Sequence, residues 1–581
     1  MQLNIEQKRI IEGKPNGHSL IKGVAGSGKT TVAANKIPLL LRHYCPSKDD
    51  SVLMVTYNKA LQKYVSVIYD NIKDEINAQA NLFDEENSSK LYIKTINSIM
   101  YMYFNSYKNQ YNEKLTIASP KECKNELIDA INFVSNKYEN VEVINSKYLQ
   151  FIKEEIIWIK ACNYMDLQEY QCVDRIGRVI NINSDGPQKL RKNSKQRNAI
   201  FDVLLKYNDN LKKINKVDLQ DMALIALKEA EKCHIEKYTH ILIDESQDLT
   251  RVQLEFLKIL YNKKAYSSIT FISDVAQSIY SQAWLIKNRS FTSLGYDMTG
   301  KSNALTKNYR TTTQIAEAAF SLINSNKDLL QDDNFVKPNL IDKQGDYPTY
   351  RNFKDANEEG LYIANLIVEN LIKDYKLEDI VIIARQKRQL EEFKICLDKY
   401  NIPCSIFDNA NKIDFNKECV KLVTMHSIKG LEFKIVIIAG VNSTVMPLCP
   451  VEVEEEDMDM LEFRERKLLY VGMTRATEKL FITSNGIPSK FIKDIDYKFL
   501  KVEEDTNIPL NKLNKESNSD MLSLERDQHS IGEDEDKSVI TNKEVCELDD
   551  ISKYNSYEQI MFDDDKFGIS DLAMEITNSN K

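Results

Sequence analysis

Residues Gly23-Val24-Ala25-Gly26-Ser27-Gly28-Lys29-Thr30 fit the pattern G-x-x-x-x-G-K-[ST]. They lie between an apolar run, SLIKG (19–23), and a helical pattern, TTVAANKIPLLL. No other feature of the sequence constrains the fold as strongly. Glycines allow a loop to turn its backbone N–H groups inward, and the helix that follows adds the partial positive charge of its N-terminus. Such a loop cradles phosphate: Lys29 reaches the β and γ oxygens of a nucleoside triphosphate such as ATP, and the Thr30 hydroxyl is a ligand for Mg²⁺. The chain has only 17 glycines in 581 residues. Three of them within six residues are therefore a signal and not a Gly-rich background.

Further short apolar runs alternate with helical patterns: SVLMVTY (51–57), HILIDE (240–245) and SITFISD (268–274). A second set follows residue 300: DIVIIAR (379–385), CSIFD (404–408), VKLVTMH (420–426), KIVIIAG (434–440) and KLFITS (479–484). Continuous apolar runs bounded by Gly, Asp or Thr read as buried parallel strands, so the expected fold class is α/β, with two parallel-sheet lobes. The expected division places a first lobe at 1–100 and 226–300, a helical, basic insertion at 101–225, a second lobe at 301–501 and an acidic, disordered tail at 502–581. A chain of this length rules out a single small binding module.

Phosphoryl chemistry also needs acidic groups at the carboxyl end of a neighbouring strand. HILI followed by Asp244-Glu245 supplies them. Asp244 is placed to hold Mg²⁺ and Glu245 to orient and deprotonate the attacking water. Alone, an Asp-Glu pair after an apolar run reads as a helix N-cap; beside a phosphate loop it reads as catalytic. The ten cysteines contain no C-x-x-C, and the six histidines form no ligand spacing, which speaks against a zinc or disulfide framework. No apolar run reaches the roughly 18 residues that span a bilayer. The opening MQLNIEQKRIIEGK lacks an apolar signal core, so the expectation is a cytoplasmic protein with no membrane partner.

Several further strings occur in order: Gln7 in LNIEQ, Ser273-Asp274-Val275-Ala276-Gln277-Ser278-Ile279-Tyr280, Asn308-Tyr309-Arg310, Thr424-Met425-His426-Ser427-Ile428-Lys429-Gly430-Leu431-Glu432-Phe433, and Tyr470-Val471-Gly472-Met473-Thr474-Arg475-Ala476. Together with the phosphate loop they resemble the motifs of superfamily 1 DNA helicases of the UvrD/Rep type, over residues 3 to 485, with the 101–225 insertion and the tail left uncovered. The resemblance implies two RecA-like lobes with ATP between them. It implies Gln7 as the adenine reader, Tyr309 stacking on the base, Gln277 as γ-phosphate sensor, Arg310 and Arg475 as arginine fingers and Glu432 as the ribose contact. For single-stranded DNA it implies Tyr57, Thr95, Ser98 and Tyr280 as contacts, with Thr424 and His426 on phosphates. The expected activity is ATP-dependent 3′→5′ helicase or translocase work on single-stranded or 3′-tailed DNA, in repair or recombination. The alternative is a motor subunit working with a nuclease or RNA polymerase and unwinding little by itself.

The chain departs from the family at several points. Asn97 stands where a His is usual, Ser281-Gln282-Ala283-Trp284 replaces an aromatic followed by Arg-Gly-Ala, and Thr31 replaces an Arg near adenine. Trp284 is the candidate for the displaced stacking role. About 40 residues separate Arg385 from Thr424, which leaves no room for the large second-lobe insertion of full-length relatives.

The net charge of -9 argues against a polyanionic partner until it is divided. Residues 502–581 hold 21 acidic and 8 basic side chains; subtracted from totals of 87 and 78, these leave 66 and 70, so the motor itself is +4. Residues 171–217 concentrate 11 basic against 4 acidic residues, the charge a phosphate track needs. The acidic tail, with Met561-Phe562-Asp563-Asp564-Asp565-Lys566-Phe567, reads as a docking segment for a protein partner or as a solubilising extension.

Overall fold

The computed structural model describes residues 3–503, apart from 58, 80–89, 139, 176–189, 233–236, 279–281, 286–288, 325–334, 338, 340–342, 408–416 and 449–454. Residues 504–581 of the acidic tail and Tyr280 therefore lie outside the described residues, as do Arg178 and Lys189 of the basic stretch, whereas Val502 and Glu503, expected in the tail, end a strand of the second sheet.

Two parallel sheets form the frame. The first contains β1 (Gly17–Gly23), β2 (Ser51–Thr56), β3 (Lys90–Thr95), β6 (His240–Ile243), β7 (Ser268–Ser273) and β8 (Ser302–Leu305), in the order β3-β2-β6-β7-β1-β8. β4 (Thr116–Ile117) and β5 (Lys216–Val217) pair separately as a short two-stranded sheet. The second large sheet contains β9 (Thr349–Phe353), β10 (Ile380–Ala384), β11 (Cys404–Phe407), β12 (Val420–Thr424), β13 (Phe433–Ile438), β14 (Ala476–Asn485) and β15 (Lys501–Glu503), in the order β11-β12-β10-β13-β14-β9-β15. Every pairing in these sheets is parallel. Parallel sheets need both faces covered. The strand sequences meet that need: Val52 and Met54 enter one core with Ile21, Leu242 and Ile272, while Leu53 and Val55 enter another with Leu20, Ile241 and Ile243.

The boundary between lobes lies later than the sequence suggested. β8 pairs with β1 through Leu20↔Ser302 to Gly23↔Leu305, so residues 302–305 belong to the first sheet. The chain crosses over only after them, because helix Thr313–Asn324 buries Ile315, Ala318, Leu322 and Ile323 in the second-lobe core. β8 carries no apolar run, because Ser302, Asn303 and Ala304 are exposed at the sheet edge.

The 101–225 stretch is mostly helical, and it is not a separate body. Phe104, Ile131, Phe151, Ile159, Leu204 and Leu227 share one continuous core with Leu53, Val55, Ile241 and Phe271 of the first sheet. Part of its basic charge is internal. Arg197 is 2% exposed and donates to the carbonyls of Tyr170, Gln171, Val173 and Leu190. Arg175 makes a two-pronged ion pair with Glu155, which is fully buried. These two cations hold the helices together, and the outward-facing charge of the stretch comes from residues such as Arg191, Lys195 and Lys212. No helix among the described residues is long and apolar enough to cross a membrane.

Candidate active site: a nucleotide cleft between the lobes

The phosphate loop joins β1 to helix Lys29–His43. Gly26 and Gly28 have φ values of +72° and +76°, a region that side chains rarely adopt. Both are also crowded: a Cβ on Gly26 would lie 2.3 Å from Asn308 Oδ1, and one on Gly28 would lie 2.7 Å from Gln7 Nε2. The loop therefore touches the crossover segment on one side and the first helix on the other. Tyr309 N donates to Gly26 O at 2.8 Å, and Gln7 Nε2 donates to Ser27 O at 3.1 Å.

Gln7 owes its position to a capping box. Asn4 accepts from Gln7 N while the Gln7 side chain accepts from Asn4 N, which starts helix Ile5–Glu12 at the loop. At the other end of that helix, buried Lys36 donates to the carbonyls of Ile10, Ile11 and Gly13, satisfying the orphan acceptors of the last turn. The Tyr309 hydroxyl accepts from Asn4 Nδ2, so Gln7 and Tyr309 flank one corner of the cleft.

Lys29 Nζ sits over the loop, donating to Gly23 O and Val24 O at 2.9 Å each and pairing with Asp274 Oδ2 at 3.2 Å. Thr30 Oγ1 donates to Asp244 Oδ2 at 2.6 Å. A hydroxyl and a carboxylate that close fit a divalent cation bound together with nucleotide oxygens. Among the described residues no three His, Cys, Asp or Glu side chains gather to hold a metal alone. Ser27 Oγ is buried with no hydrogen-bond partner, an orphaned donor inside the loop that a phosphate oxygen would satisfy.

Asp244 and Glu245 follow β6, and their environments push them apart. Burial, and then the Glu245 charge, raise Asp244 against the Thr30 hydroxyl and Lys29. Burial also raises Glu245, but Lys429, Lys29, the Gln247 amide and Arg475 outweigh it and hold the carboxyl below its ordinary value. Glu245 is therefore ionised at neutral pH, the form in which a carboxylate can accept a proton. Its backbone is left-handed, at φ +51°, a strained state for a side chain with a Cβ and one that clusters at functional sites.

The second lobe closes the cleft. Arg475, 1% exposed, donates to Gln277 Oε1 at 2.7 Å and to Val471 O at 3.0 Å. Gln277 in turn donates to Asp274 Oδ2 at 2.7 Å, so a chain of contacts runs from Arg475 to the carboxylate that pairs with Lys29. Burial, and then the neighbouring Arg310, lower the Arg475 pKa to about 10, which leaves it charged at neutral pH. Arg310 forms an ion pair with Glu432. Gly26 to Thr31, Glu245, Gln277, Arg310, Glu432 and Arg475 line one cleft; the structure thus brings together residues that lie far apart in sequence.

Two further residues belong to this region: Tyr64 in the wall of the cleft and Lys429 behind it, against Gln277 O. Tyr64, on helix Lys59–Gln79, lines the cleft and bonds the Thr31 side chain. Lys429 lies within the KGLEF string and reaches across to the first lobe. The first is one aromatic in an amphipathic helix and carries no local signal; the second was visible as a string without its partner.

The candidate DNA contacts fall into separate places. Thr56 and Thr95 are register partners at the carboxyl ends of β2 and β3, so Tyr57, Thr95 and Ser98 all lie at or just after the carboxyl ends of these neighbouring strands. Thr95 also caps helix Ile96–Tyr111, accepting from Ser98 N. Asn97 accepts from Gln253 Nε2 at 3.2 Å. Thr424 ends β12 with its hydroxyl on Ser427, and His426 follows half-buried. Trp284 differs from expectation: it is 6% exposed, its indole donates to Ser290 O and Ser293 Oγ at 3.3 Å, and the guanidiniums of Arg251 and Arg289 lie over its ring. A ring so enclosed offers no face to a base.

Residues 3–284 match the model of the UvrD/REP helicase N-terminal domain, and residues 304–415 and 407–486 match that of the UvrD-like helicase C-terminal domain. The first match runs through the 101–225 stretch, which contains none of the motif strings. The chain is 26% identical over 441 residues to the ATP-dependent DNA helicase Rep of Buchnera aphidicola subsp. Acyrthosiphon pisum, covering 71% of this chain and 58% of that protein. It is 22% identical over 528 residues to a probable DNA helicase of Mycoplasma pneumoniae, covering 86% and 88%. With DNA helicase II of Haemophilus influenzae it shares 23% identity over 420 residues, covering 70% and 51%. The chain thus spans little more than half the length of the Rep and helicase II relatives that it matches.

Proposed function

The chain belongs to the UvrD/Rep helicase family, and from that premise we propose that it is an ATP-dependent DNA helicase or single-strand translocase moving 3′→5′. The observation that carries this reading is the Arg475–Gln277 contact across the cleft, at 2.7 Å. A finger from one lobe that meets the γ-phosphate sensor of the other makes hydrolysis depend on closure, and each closure a movement of one lobe against its neighbour.

In this reading the backbone of Gly23–Thr30 and the Lys29 ammonium hold the triphosphate. Thr30 and Asp244 would hold Mg²⁺, which would supply positive charge to offset that of the nucleotide phosphates. Glu245 orients the attacking water and takes its proton, and Arg310 and Arg475 stabilise charge on the γ-phosphoryl group. Gln7 and Tyr309 take the adenine and Glu432 the ribose. Tyr57, Thr95, Ser98, Thr424 and His426 contact the strand, whose stacking contribution of about 1–3 kcal/mol per base is independent of sequence. Tyr280 is proposed alongside them on its motif alone. Work in DNA repair or recombination, in the cytoplasm, and a protein partner held by the acidic tail complete the proposal.

Steady-state ATP hydrolysis with and without a 30-nucleotide single strand tests it. Stimulation on the order of tenfold or more is the expected result, falling steeply with salt because phosphate contacts release counterions. An ATPase indifferent to single strands would reject the reading.

A further inference from the structure

Lys429 lies in the connection between β12 and β13, and its side chain leaves its own lobe. Nζ meets Asp248 Oδ2 at 2.5 Å and donates to Gln277 O at 2.6 Å, with side-chain exposures of 6% for Lys429 and 0% for Asp248. Asp248 Oδ1 is buried with no hydrogen-bond partner. A half-satisfied buried ion pair is weak evidence for stability, since desolvation offsets most of the attraction. Its location is the informative part.

Each partner sits midway along a loop with two functional ends. The Lys429 loop begins at Thr424 and His426, the proposed strand contacts, and ends at Glu432 in the nucleotide cleft. The Asp248 loop begins at Glu245 and runs into helix Arg251–Leu260, whose Gln253 bonds Asn97, between Thr95 and Ser98. The ion pair is therefore a crosslink between two segments that each reach from the nucleotide to the DNA side.

We propose that Lys429 is a positioning residue, which through Asp248 and the Gln277 carbonyl aligns the hydrolytic groups of the first lobe with the second-lobe loop that meets the strand. The inference rests on the motor reading given above. Glu245 and Gln277 are held in register only when Lys429 is seated, so movement at either end of its loop is felt at both.

The test compares Lys429→Met, Asp248→Asn, the double variant and Lys429→Arg, measuring ATP hydrolysis without DNA and binding of a fluorescent ATP analogue. Each single variant and the double are expected to lose about tenfold in kcat with KM and analogue affinity within a few-fold of the parent. Lys429→Arg is expected to recover part of the loss. A pair that served only stability would behave otherwise: removing both charges relieves the unpaired one, so the double variant would regain the parent kcat. That recovery, or unchanged kcat in all four, would overturn the proposal. Because the readout is taken without DNA, a parent protein that hydrolyses ATP but ignores single strands would count against the motor reading and leave this inference to stand or fall on its own data.

Discussion

Glu245→Gln is expected to lower kcat for ATP hydrolysis about a thousandfold while leaving nucleotide affinity within a few-fold. The substitution keeps volume and hydrogen-bonding reach and removes only the charge and the proton acceptor. Four neighbours, Lys429, Lys29, Gln247 and Arg475, hold the Glu245 carboxyl ionised despite its burial, so the parent residue is in the basic form throughout the neutral range. The variant should still bind single strands and, with ATP bound but not consumed, hold them at least as tightly. Rapid-quench hydrolysis beside analogue binding measures both. A loss under tenfold in kcat would remove Glu245 from its role; a loss of analogue binding equal to that in kcat would show that the carboxylate organises the loop instead.

Arg475→Lys is expected to lose on the order of a thousandfold in kcat, nearly as much as Arg475→Ala, because a finger acts through its planar fork. Arg475 uses Nη2 on Gln277 and Nε on the Val471 carbonyl, which presets the guanidinium plane. A lysine has no planar fork and gathers its donors on one nitrogen, which cannot reach both partners from two positions, and its ammonium would be desolvated at full burial. Arg310 is 25% exposed and ion-paired with Glu432, so Arg310→Ala should cost less, about a hundredfold. The ranking is the informative quantity. Equal losses, or rescue of Arg475 by Lys, would show charge alone to be sufficient.

Much of this architecture was legible in the chain because parallel strands announce themselves. Val381-Ile382-Ile383 and Ile435-Val436-Ile437 are buried on both faces, and a strand covered on both sides must be apolar at successive positions. The phosphate loop was legible because its glycines serve backbone geometry, which spacing records directly. β8 and β15 were not, since a strand at a sheet edge needs no apolar run. Trp284 misled for a related reason: position in a motif records neighbours along the chain, whereas its enclosure by Arg251, Arg289 and the 290–293 turn depends on the fold. Charge counting erred in the same way at Arg175 and Arg197, which look like surface cations in sequence but are pins between helices. The Lys429–Asp248 pair joins residues 181 positions apart, a contact no local pattern encodes.

The most direct test is strand displacement on matched duplexes carrying a 3′ tail, a 5′ tail or blunt ends, at fixed ATP and salt. The proposed coupling of closure between the phosphate loop and Arg475 to a strand held by both lobes predicts ATP-dependent displacement of the 3′-tailed duplex and little of the other two, abolished in Glu245→Gln. Preference for the 5′ tail, or displacement that persists in Glu245→Gln, would contradict the account.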